Sequence, residues 1–196
     1  MPKPSHRERI LDAGLRVMFR KGYVGSGVRD IAAEAAVPQG SFTNHFRSKE
    51  AFAAEVLDRY FAQVKELMAQ SLGDTSLTPR QRLVRYLDLI TDRLVADGCA
   101  RGCLIGDLSL EAPGHSETLR LRLVAIFDEW QAPFAECIAE AQAAGEIPDT
   151  FPPAQLADFL LTCWEGAILR MKLEGARAPL DRFRSIAFHT VFKEIP

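Results

Sequence analysis

Residues 22–52 read GYVGSGVRDIAAEAAVPQGSFTNHFRSKEAF, and this segment indicates two short helices joined by a tight turn. Ser26 or Gly27 begins the first helix, which contains the alanine-rich sequence VRDIAAEAA. Pro38 ends that helix, because proline disfavours a helical conformation at the residue before it and suits the start of a new helix. The second helix is predicted at residues 39–46. Such a pair is typical of a helix-turn-helix unit.

The second helix of the pair is predicted to be anchored on one face and polar on the other. Phe42 and Phe46 lie four residues apart, so they share a face. They are expected to pack against apolar residues of the preceding sequence, namely Ile10, Leu15, Phe19, Val28 and Ile31. The outward residues are Gln39, Ser41, Thr43, Asn44 and His45. Gly40 permits close approach of another molecule to the backbone. These features suit a helix that enters the major groove of DNA.

Helical periodicity extends over most of the remaining sequence. A first helix is predicted at residues 7–21, with Gly22 as its C-terminal cap, and a long fourth helix from Lys49 to Leu72 follows the N-cap residue Ser48. Glycine and proline separate five later helices, predicted near residues 79–97, 101–112, 117–144, 153–175 and 180–193. The sequence therefore predicts an all-α protein of about nine helices, in which the fourth helix joins the N-terminal unit directly to the rest.

Charge is distributed unevenly along the chain. Residues 1–50 contain nine Lys or Arg and five Asp or Glu, a balance of +4, whereas the remainder contains fifteen and twenty-one, a balance of −6. A basic N-terminal unit on a larger acidic body suggests that only the former meets a polyanion such as DNA. The alternative is a chance clustering of basic residues on a solvated face.

Several other classes of protein are disfavoured. The sequence has no apolar run of about 18 residues and no apolar stretch after its basic N-terminus, so we expect a cytoplasmic protein with no membrane contact. Cysteines occur at 99, 103, 137 and 163, too sparsely for a disulfide framework. No Ser-His-Asp arrangement and no glycine-rich phosphate loop is evident, so neither an enzyme nor a bound cofactor is expected.

A metal site is the alternative from a different class. Cys99 and Cys103 lie four residues apart and His115 follows, but the glycines at 98 and 102 interrupt the helical register and no Cys-x-x-Cys pair is present. We therefore predict no metal site. A metal- or redox-sensing regulator that acts through Cys99 and Cys103 remains as the alternative function.

Residues 22–52 resemble the DNA-binding signature of the TetR/AcrR family of transcription regulators. The resemblance rests on valine-proline, glycine-serine-phenylalanine, the paired phenylalanines and Ser-Lys-Glu-Ala-Phe, all in order. Lys49 occupies the position of the family's usual phosphate contact, whereas Thr43-Asn44-His45 stands where many members have tyrosine-histidine-tyrosine. The predicted DNA-binding residues are Arg29, Gln39, Gly40, Ser41, Thr43, Asn44, His45 and Lys49. The alternative for each is an exposed residue that contacts nothing.

The resemblance implies two domains, a helix-turn-helix domain at residues 1–47 and a helical ligand-binding and dimerisation domain at residues 48–196. The last two helices carry more apolar residues than one buried stripe needs. The first of them has Leu156, Phe159, Leu160, Leu161, Cys163, Trp164, Ala167, Ile168, Leu169, Met171 and Leu173, and the second has Leu180, Phe183, Ile186, Ala187, Phe188, Val191 and Phe192. A homodimer interface would bury this excess. The alternative is that both helices form central core.

A ligand site is predicted where aromatic residues surround a few polar ones, as in many small-molecule sites. Trp164, Ile168 and Lys172 share one face of a helix, with Glu165 beside them, and a buried charge needs a partner. The predicted ligand-binding residues are Tyr60, Tyr86, Cys103, Asp107, Trp130, Phe134, Trp164, Glu165, Ile168 and Lys172. Ordinary core packing, and a plain salt bridge between Glu165 and Lys172, are the alternatives.

The segments RGCLIGDL at residues 101–108 and WEGAILR at residues 164–170 are similar to a subgroup of the family that includes regulators responsive to reactive electrophiles and unsaturated acids. The subgroup often has asparagine at the position of Asp107. Cys103 is the candidate sensor thiol, because the glycines on either side of it could expose it and Arg101, a helix N-terminus near Gly102 or Lys172 could supply positive potential that favours the thiolate. Cys99 is the candidate resolving partner, and a buried, inert cysteine is the alternative. The resemblance thus implies a dimeric repressor released from double-stranded operator DNA by a small-molecule or electrophilic inducer, with activation instead of repression left open.

Overall fold

The computed structural model describes residues 5–193, which form nine α-helices and one short 3₁₀ turn and contain no strand. The helices are α1 His6–Lys21, α2 Val28–Glu34, α3 Gln39–His45, α4 Lys49–Ser71, α5 Pro79–Ala96, α6 Leu104–Glu111, α7 Glu117–Ala143, α8 Pro153–Glu174 and α9 Ala178–His189. The 3₁₀ turn is Ala112–Gly114. The predicted all-α class and number of helices are confirmed.

The helices pack into two compact units. The first unit comprises residues 5–63 and 104–126, and the second comprises residues 64–103 and 127–193. Helix α4 contributes residues to both units, as does α7. This division describes packing, whereas the predicted boundary between residues 47 and 48 separates functions, and that boundary stays a prediction.

The first unit is built on α1, which packs against both α2 and α3. The buried face of α1 includes Ile10 and Val17, and the buried face of α2 includes Ile31. Ser5 caps the start of α1 by accepting a hydrogen bond from the backbone N–H of Glu8 at 3.3 Å. A side chain on Gly14 would collide with the ring of Phe52, so α1 and α4 approach closely at this point.

The second unit is centred on α8 and its packing against α9. Its largest fully buried side chains are Trp164, Tyr86, Phe134 and Phe192. Arg80 of α5 holds the end of α9, donating from Nε to the carbonyl of Phe192 at 2.9 Å and from Nη2 to the carbonyl of Phe188 at 3.2 Å. The end of α9 is thereby fixed to the start of α5.

Two helix boundaries differ from the predicted ones. Helix α6 begins at Leu104 rather than at residue 101, because α5 closes in a turn where both Gly98 and Cys99 have left-handed backbone angles, with φ of 69° and 57°. Helix α9 is Ala178–His189 rather than 180–193, since Pro179 occupies its first turn. None of the helices in the described part of the chain combines the length and apolar character that a membrane span requires.

Candidate DNA interface and ligand site

Helix α3 is anchored by phenylalanines and exposes its polar face. Phe42 and Phe46 are buried, and both contact Phe52 of α4, with ring centroids 4.9 Å and 4.8 Å apart. Phe52 was not among the predicted anchors, because it lies on the next helix and its separation of six residues from Phe46 does not repeat the four-residue spacing of the pair. Exposed positions on the helix are Gln39, Gly40, Thr43, Asn44 and His45, while Ser41 is half-buried. The polar face is therefore available to another molecule.

The turn before α3 is held by an arginine that the sequence analysis counted only as part of the basic cluster. Arg9 Nη2 donates to the carbonyl of Ala35 at 2.7 Å and to that of Ala36 at 2.9 Å. Ala36 has a left-handed φ of 51°, which is unfavourable for a residue with a Cβ. The guanidinium therefore stabilises a strained turn that sets the direction of α3.

Most basic residues of the first unit are neutralised locally. Arg16 and Arg20 bind Glu34 at 2.8 Å and 2.6 Å, and their hydrogen bonds lower the pKa of that carboxyl group. Arg29 and Arg47 are exposed, and no ion-pair partner for either is found among residues 5–193. Arg47 directly follows the α3 segment and was not among the predicted DNA-binding residues. The cationic charge left for a polyanion thus lies next to the helix-turn-helix.

Lys49 starts α4 and is already in contact with protein groups. Its Nζ donates to the carbonyl of Val24 at 3.3 Å and lies 4.5 Å from the centroid of the Tyr23 ring. Desolvation by the surrounding residues lowers the pKa of Lys49, and the negative charge of Glu111 opposes this shift. The predicted cap is present, because Ser48 Oγ accepts from the backbone N–H of Ala51 at 3.1 Å. The ammonium is therefore held in one place at the start of the helix.

The predicted ligand residues are divided between the two units. Tyr60 and Asp107 belong to the first unit, where the ring of Tyr60 makes an edge contact with Phe19 at 5.6 Å. The other eight belong to the second unit, namely Tyr86, Cys103, Trp130, Phe134, Trp164, Glu165, Ile168 and Lys172. A ligand-binding role for each of the ten stays a prediction.

Tyr86 is the centre of an aromatic cluster in the second unit. Trp130 Nε1 donates to the Tyr86 hydroxyl at 3.0 Å, and the ring of Phe134 meets that of Tyr86 edge-on at 4.8 Å. Burial raises the pKa of the Tyr86 phenol well above its usual value, and the charges of Cys103 and Glu165 act in the same direction. The phenol is therefore neutral, and four other predicted ligand residues interact with it.

Trp164 is buried with an unsatisfied hydrogen-bond donor. Its side chain is 1% exposed and its ring lies 5.5 Å from that of Phe183. Its Nε1 atom has no hydrogen-bond acceptor within the described part of the chain. Leaving a buried donor unpaired costs about 1–3 kcal/mol, so such an atom is a natural contact for a ligand oxygen. Ile168 lies one turn further along the same helix and is also buried.

The cysteines differ from expectation in their exposure. Cys103 was expected to be exposed by its flanking glycines, yet it is only 6% exposed, because Gly102 and Leu104 on either side of it are buried too. Cys163 is half-buried and therefore more accessible than the other three. Burial raises the pKa of the Cys137 thiol to about 11. Flexibility at a glycine thus does not bring the neighbouring thiol to the surface.

One of the groups expected to supply positive potential near Cys103 forms an ion pair with another residue. Arg101 donates to Asp97 at 2.8 Å. No group of three or more His, Cys, Asp or Glu side chains able to hold a metal ion is found over residues 5–193. His115 is exposed and belongs to the first unit, whereas Cys99 and Cys103 are buried residues of the second. A metal-sensing role for Cys99 and Cys103 stays an untested alternative.

Two family models match the chain. Residues 10–56 match bacterial regulatory proteins of the tetR family, and residues 79–187 match the tetracyclin repressor-like C-terminal domain. The HTH-type transcriptional repressor DhaR of Mycobacterium sp. strain GP1 is 43% identical over 97% of this chain and 94% of its own length. The transcriptional regulator AcuR of Cereibacter sphaeroides is 36% identical over 93% of this chain and 84% of its own length.

Solved structures give the same result. A regulatory protein TetR from Rhodobacter sphaeroides superimposes with a TM-score of 0.88 at 35% identity, covering 92% of this chain and 96% of that one. The reduced form of NemR from Escherichia coli also has a TM-score of 0.88, at 26% identity, covering 97% of this chain and 99% of that one. The predicted family is thereby confirmed. The chain belongs to the TetR family of helix-turn-helix transcription regulators, which are not enzymes.

Proposed function

We propose that this regulator is a homodimeric repressor that holds double-stranded operator DNA with α3 and releases it when a small molecule binds the second unit. The observation that carries the proposal is the geometry of α3, whose apolar side is fixed by three phenylalanines while its polar side is exposed. A major-groove helix needs this combination, because it must be rigid towards the protein and polar towards the bases.

The residue types at the proposed DNA interface suggest two roles, base reading and phosphate contact. Asn44 and Gln39 are proposed to read base edges, because their amides can form paired hydrogen bonds with adenine. Lys49, Arg29, Ser41, Thr43 and His45 are proposed to contact phosphates, which position the protein without reading sequence. Gly40 supports close approach, because a Cβ placed there would meet no atom within 4 Å in the protein. The space beside Gly40 is left to the DNA backbone.

Dimer formation is supported by apolar side chains that the second unit leaves exposed. Leu173 is 80% exposed, Ile186 64%, Leu169 50% and Phe159 43%, and all four lie on α8 or α9. Large side chains of this kind are stabilised when a second copy covers them. A two-fold dimer presents two copies of α3 to a palindromic operator.

The inducer is proposed to be an apolar acid or electrophile of modest size. Trp164 supplies an unsatisfied buried donor that a carboxylate or carbonyl oxygen could accept from, and Lys172 lies two turns further along the same helix. The aromatic cluster of Tyr86, Trp130 and Phe134 supplies apolar contacts. An inducer that weakens operator binding 100-fold must favour the released state by about 2.7 kcal/mol.

Covalent induction through Cys103 is the second candidate, and a relative supports testing it. The solved NemR structure is described as a reduced form, which identifies that protein by its redox state. Burial of Cys103 favours reversible binding, since a thiol must become accessible before an electrophile can modify it. A redox pair of Cys99 and Cys103 belongs to this candidate.

The test begins with a duplex enriched from a random-sequence library by the protein itself. Fluorescence anisotropy then measures the affinity for this duplex alone and with hexanoic acid, hex-2-enoic acid or N-ethylmaleimide. We expect two protein chains per palindromic duplex and release by at least one of the two acids. Asn44→Ala should reduce the preference over a random duplex by about 5- to 100-fold, the discrimination of one paired base contact.

Two outcomes would contradict the proposal at different points. Failure to enrich any duplex, or an unchanged preference in Asn44→Ala, would exclude α3 as the reading helix. Release by N-ethylmaleimide alone, with a mapped adduct on Cys103, would replace reversible binding by the covalent candidate.

A further inference from the structure

A single carboxylate closes the turn between α1 and α2. Glu111 is the last residue of α6, and it accepts hydrogen bonds from the backbone N–H groups of Tyr23 and, at 3.3 Å, of Val24. All of these residues belong to the first unit. Two consecutive N–H groups directed at one anion form a concave binding site that fixes the local backbone. The turn is therefore held by a residue 88 positions away in the sequence.

Gly22 shows how closely the carboxylate is fitted. Its φ of 66° is left-handed, and a Cβ at this position would collide with the carboxylate of Glu111. The amide of Gly22 closes α1 by donating to the carbonyl of Met18 at 2.9 Å. Glycine is thus required both by the backbone angle and by the nearby side chain.

Lys49 holds the same turn through different groups. Its ammonium donates to the carbonyl of Val24 at 3.3 Å and stacks on the ring of Tyr23. Glu111 therefore binds the N–H groups of this turn, and Lys49 binds its carbonyl and ring. Because both side chains act on Tyr23 and Val24, a shift of the turn changes the position of the ammonium.

We propose that Glu111 is a positioning residue for DNA binding, which fixes residues 22–24 so that Lys49 is held ready for a phosphate. This inference rests on the proposed phosphate contact of Lys49. Glu111 itself touches no DNA in this scheme, because a carboxylate and a phosphate repel each other. Its contribution reaches the DNA only through the turn and the ammonium.

The sign of the effect separates this role from simple electrostatics. Removing a negative charge from a DNA-binding unit ordinarily raises its affinity for a polyanion. Positioning predicts the reverse, because Glu111→Gln leaves one acceptor oxygen for two N–H groups, which loosens the turn and displaces Lys49. We expect the affinity to fall about tenfold, the equivalent of one hydrogen bond to a charged group, both for the enriched duplex and for a random one. The slope of log affinity against log salt should become shallower by about 0.9, corresponding to one phosphate contact.

The matched control is Glu117→Gln. Glu117 lies in the same unit, is exposed, and binds only Arg120 of its own helix among the described residues. The variant removes the same charge without touching the turn, so its affinity should stay within twofold of the unmodified protein and its salt slope should not change. Glu111→Asp, which keeps the charge but withdraws the carboxylate from the turn, serves if Glu111→Gln does not fold.

A double-mutant cycle tests whether the effect passes through Lys49. In a Lys49→Ala background, Glu111→Gln should cost less than twofold. Additive losses, or an affinity of Glu111→Gln equal to that of Glu117→Gln, would overturn the positioning role. An unchanged affinity of Lys49→Ala alone would instead overturn the proposed phosphate contact, and thus the two failures are distinguishable.

Discussion

The two units differ in what they leave unsatisfied. In the first unit, the strained turn at Ala36 is braced by Arg9 and the turn at Tyr23 by Glu111, while the exposed face of α3 is polar. In the second unit, Trp164 has a buried donor without an acceptor in the described residues, and α8 and α9 expose four large apolar side chains among their polar ones. The first unit thus presents a polar face to the proposed polyanion. The second presents exposed apolar side chains to the proposed second copy and a buried donor to the proposed ligand.

The largest expected effect tests the apolar face of the second unit. Leu173→Glu combined with Ile186→Glu places two charges where a second copy is proposed to pack, so the dimer should dissociate. Loss of the second reading helix should then lower operator affinity by about 100-fold or more, the usual gain from bivalent binding. Sedimentation velocity should show a mass of 21.8 kDa in place of twice that value.

Leu121→Glu is the control for that experiment. Leu121 is 54% exposed but lies in the first unit, so the same substitution there should leave the mass unchanged. A dimer that survives the double substitution would mean that Leu173 and Ile186 lie outside the interface. The exposed apolar side chains of the second unit would then give no support to the proposed dimer.

The sequence predicted helices α1 to α4 more closely than the later helices, because the signals in residues 5–72 are local. Gly22, Pro38 and Ser48 each mark a helix end through their own backbone or capping preferences, and the observed helices end within about two residues of the predicted positions. The start of α6 was wrong by three residues. A left-handed backbone at Cys99 is uncommon for a residue other than glycine, so the local sequence does not predict the turn that delays the start of α6.

Long-range contacts explain what the sequence could not predict about the sites. Arg9 donates to a carbonyl 26 residues away and Glu111 accepts from an amide 88 residues away. Contacts between residues so far apart in the chain produce no periodic pattern in the sequence. Residue type identified the polar face of α3, because a face is a local property of one helix. The burial of Cys103 depends on packing by other segments, and its glycine neighbours were therefore a misleading guide.

A second, smaller effect tests the braced turn of the first unit. Arg9→Met and Arg47→Met each remove one positive charge, but only Arg9 binds the carbonyls of Ala35 and Ala36. Arg9→Met should weaken operator binding about tenfold and lower the melting temperature by about 5 °C, as expected for the loss of hydrogen bonds to a charged group in a chain of this size. Its salt slope should stay unchanged, because no phosphate contact is lost.

Arg47→Met should behave in the opposite way. Arg47 is exposed, so the melting temperature should not change, while any contact with a phosphate would make the salt slope shallower by about 0.9. Identical salt slopes and melting temperatures in the two variants would show that Arg9 does not brace the turn. Thermal denaturation followed by circular dichroism and anisotropy titrations at several salt concentrations supply both readouts.

The smallest expected effect compares the two tryptophans of the second unit. Trp130 and Trp164 are both buried, but only the indole of Trp130 has an acceptor, the hydroxyl of Tyr86, among the described residues. Phenylalanine removes the N–H and part of the ring at either position, so the loss of packing is similar. Trp130→Phe also breaks a hydrogen bond and should reduce the free energy of unfolding by about 1–2 kcal/mol more than Trp164→Phe does. Urea denaturation followed by circular dichroism, at one protein concentration, measures this difference. Equal losses would mean that the Trp164 N–H already has a hydrogen-bond acceptor in the folded protein. The proposed inducer site would then lack the unpaired buried donor on which it depends.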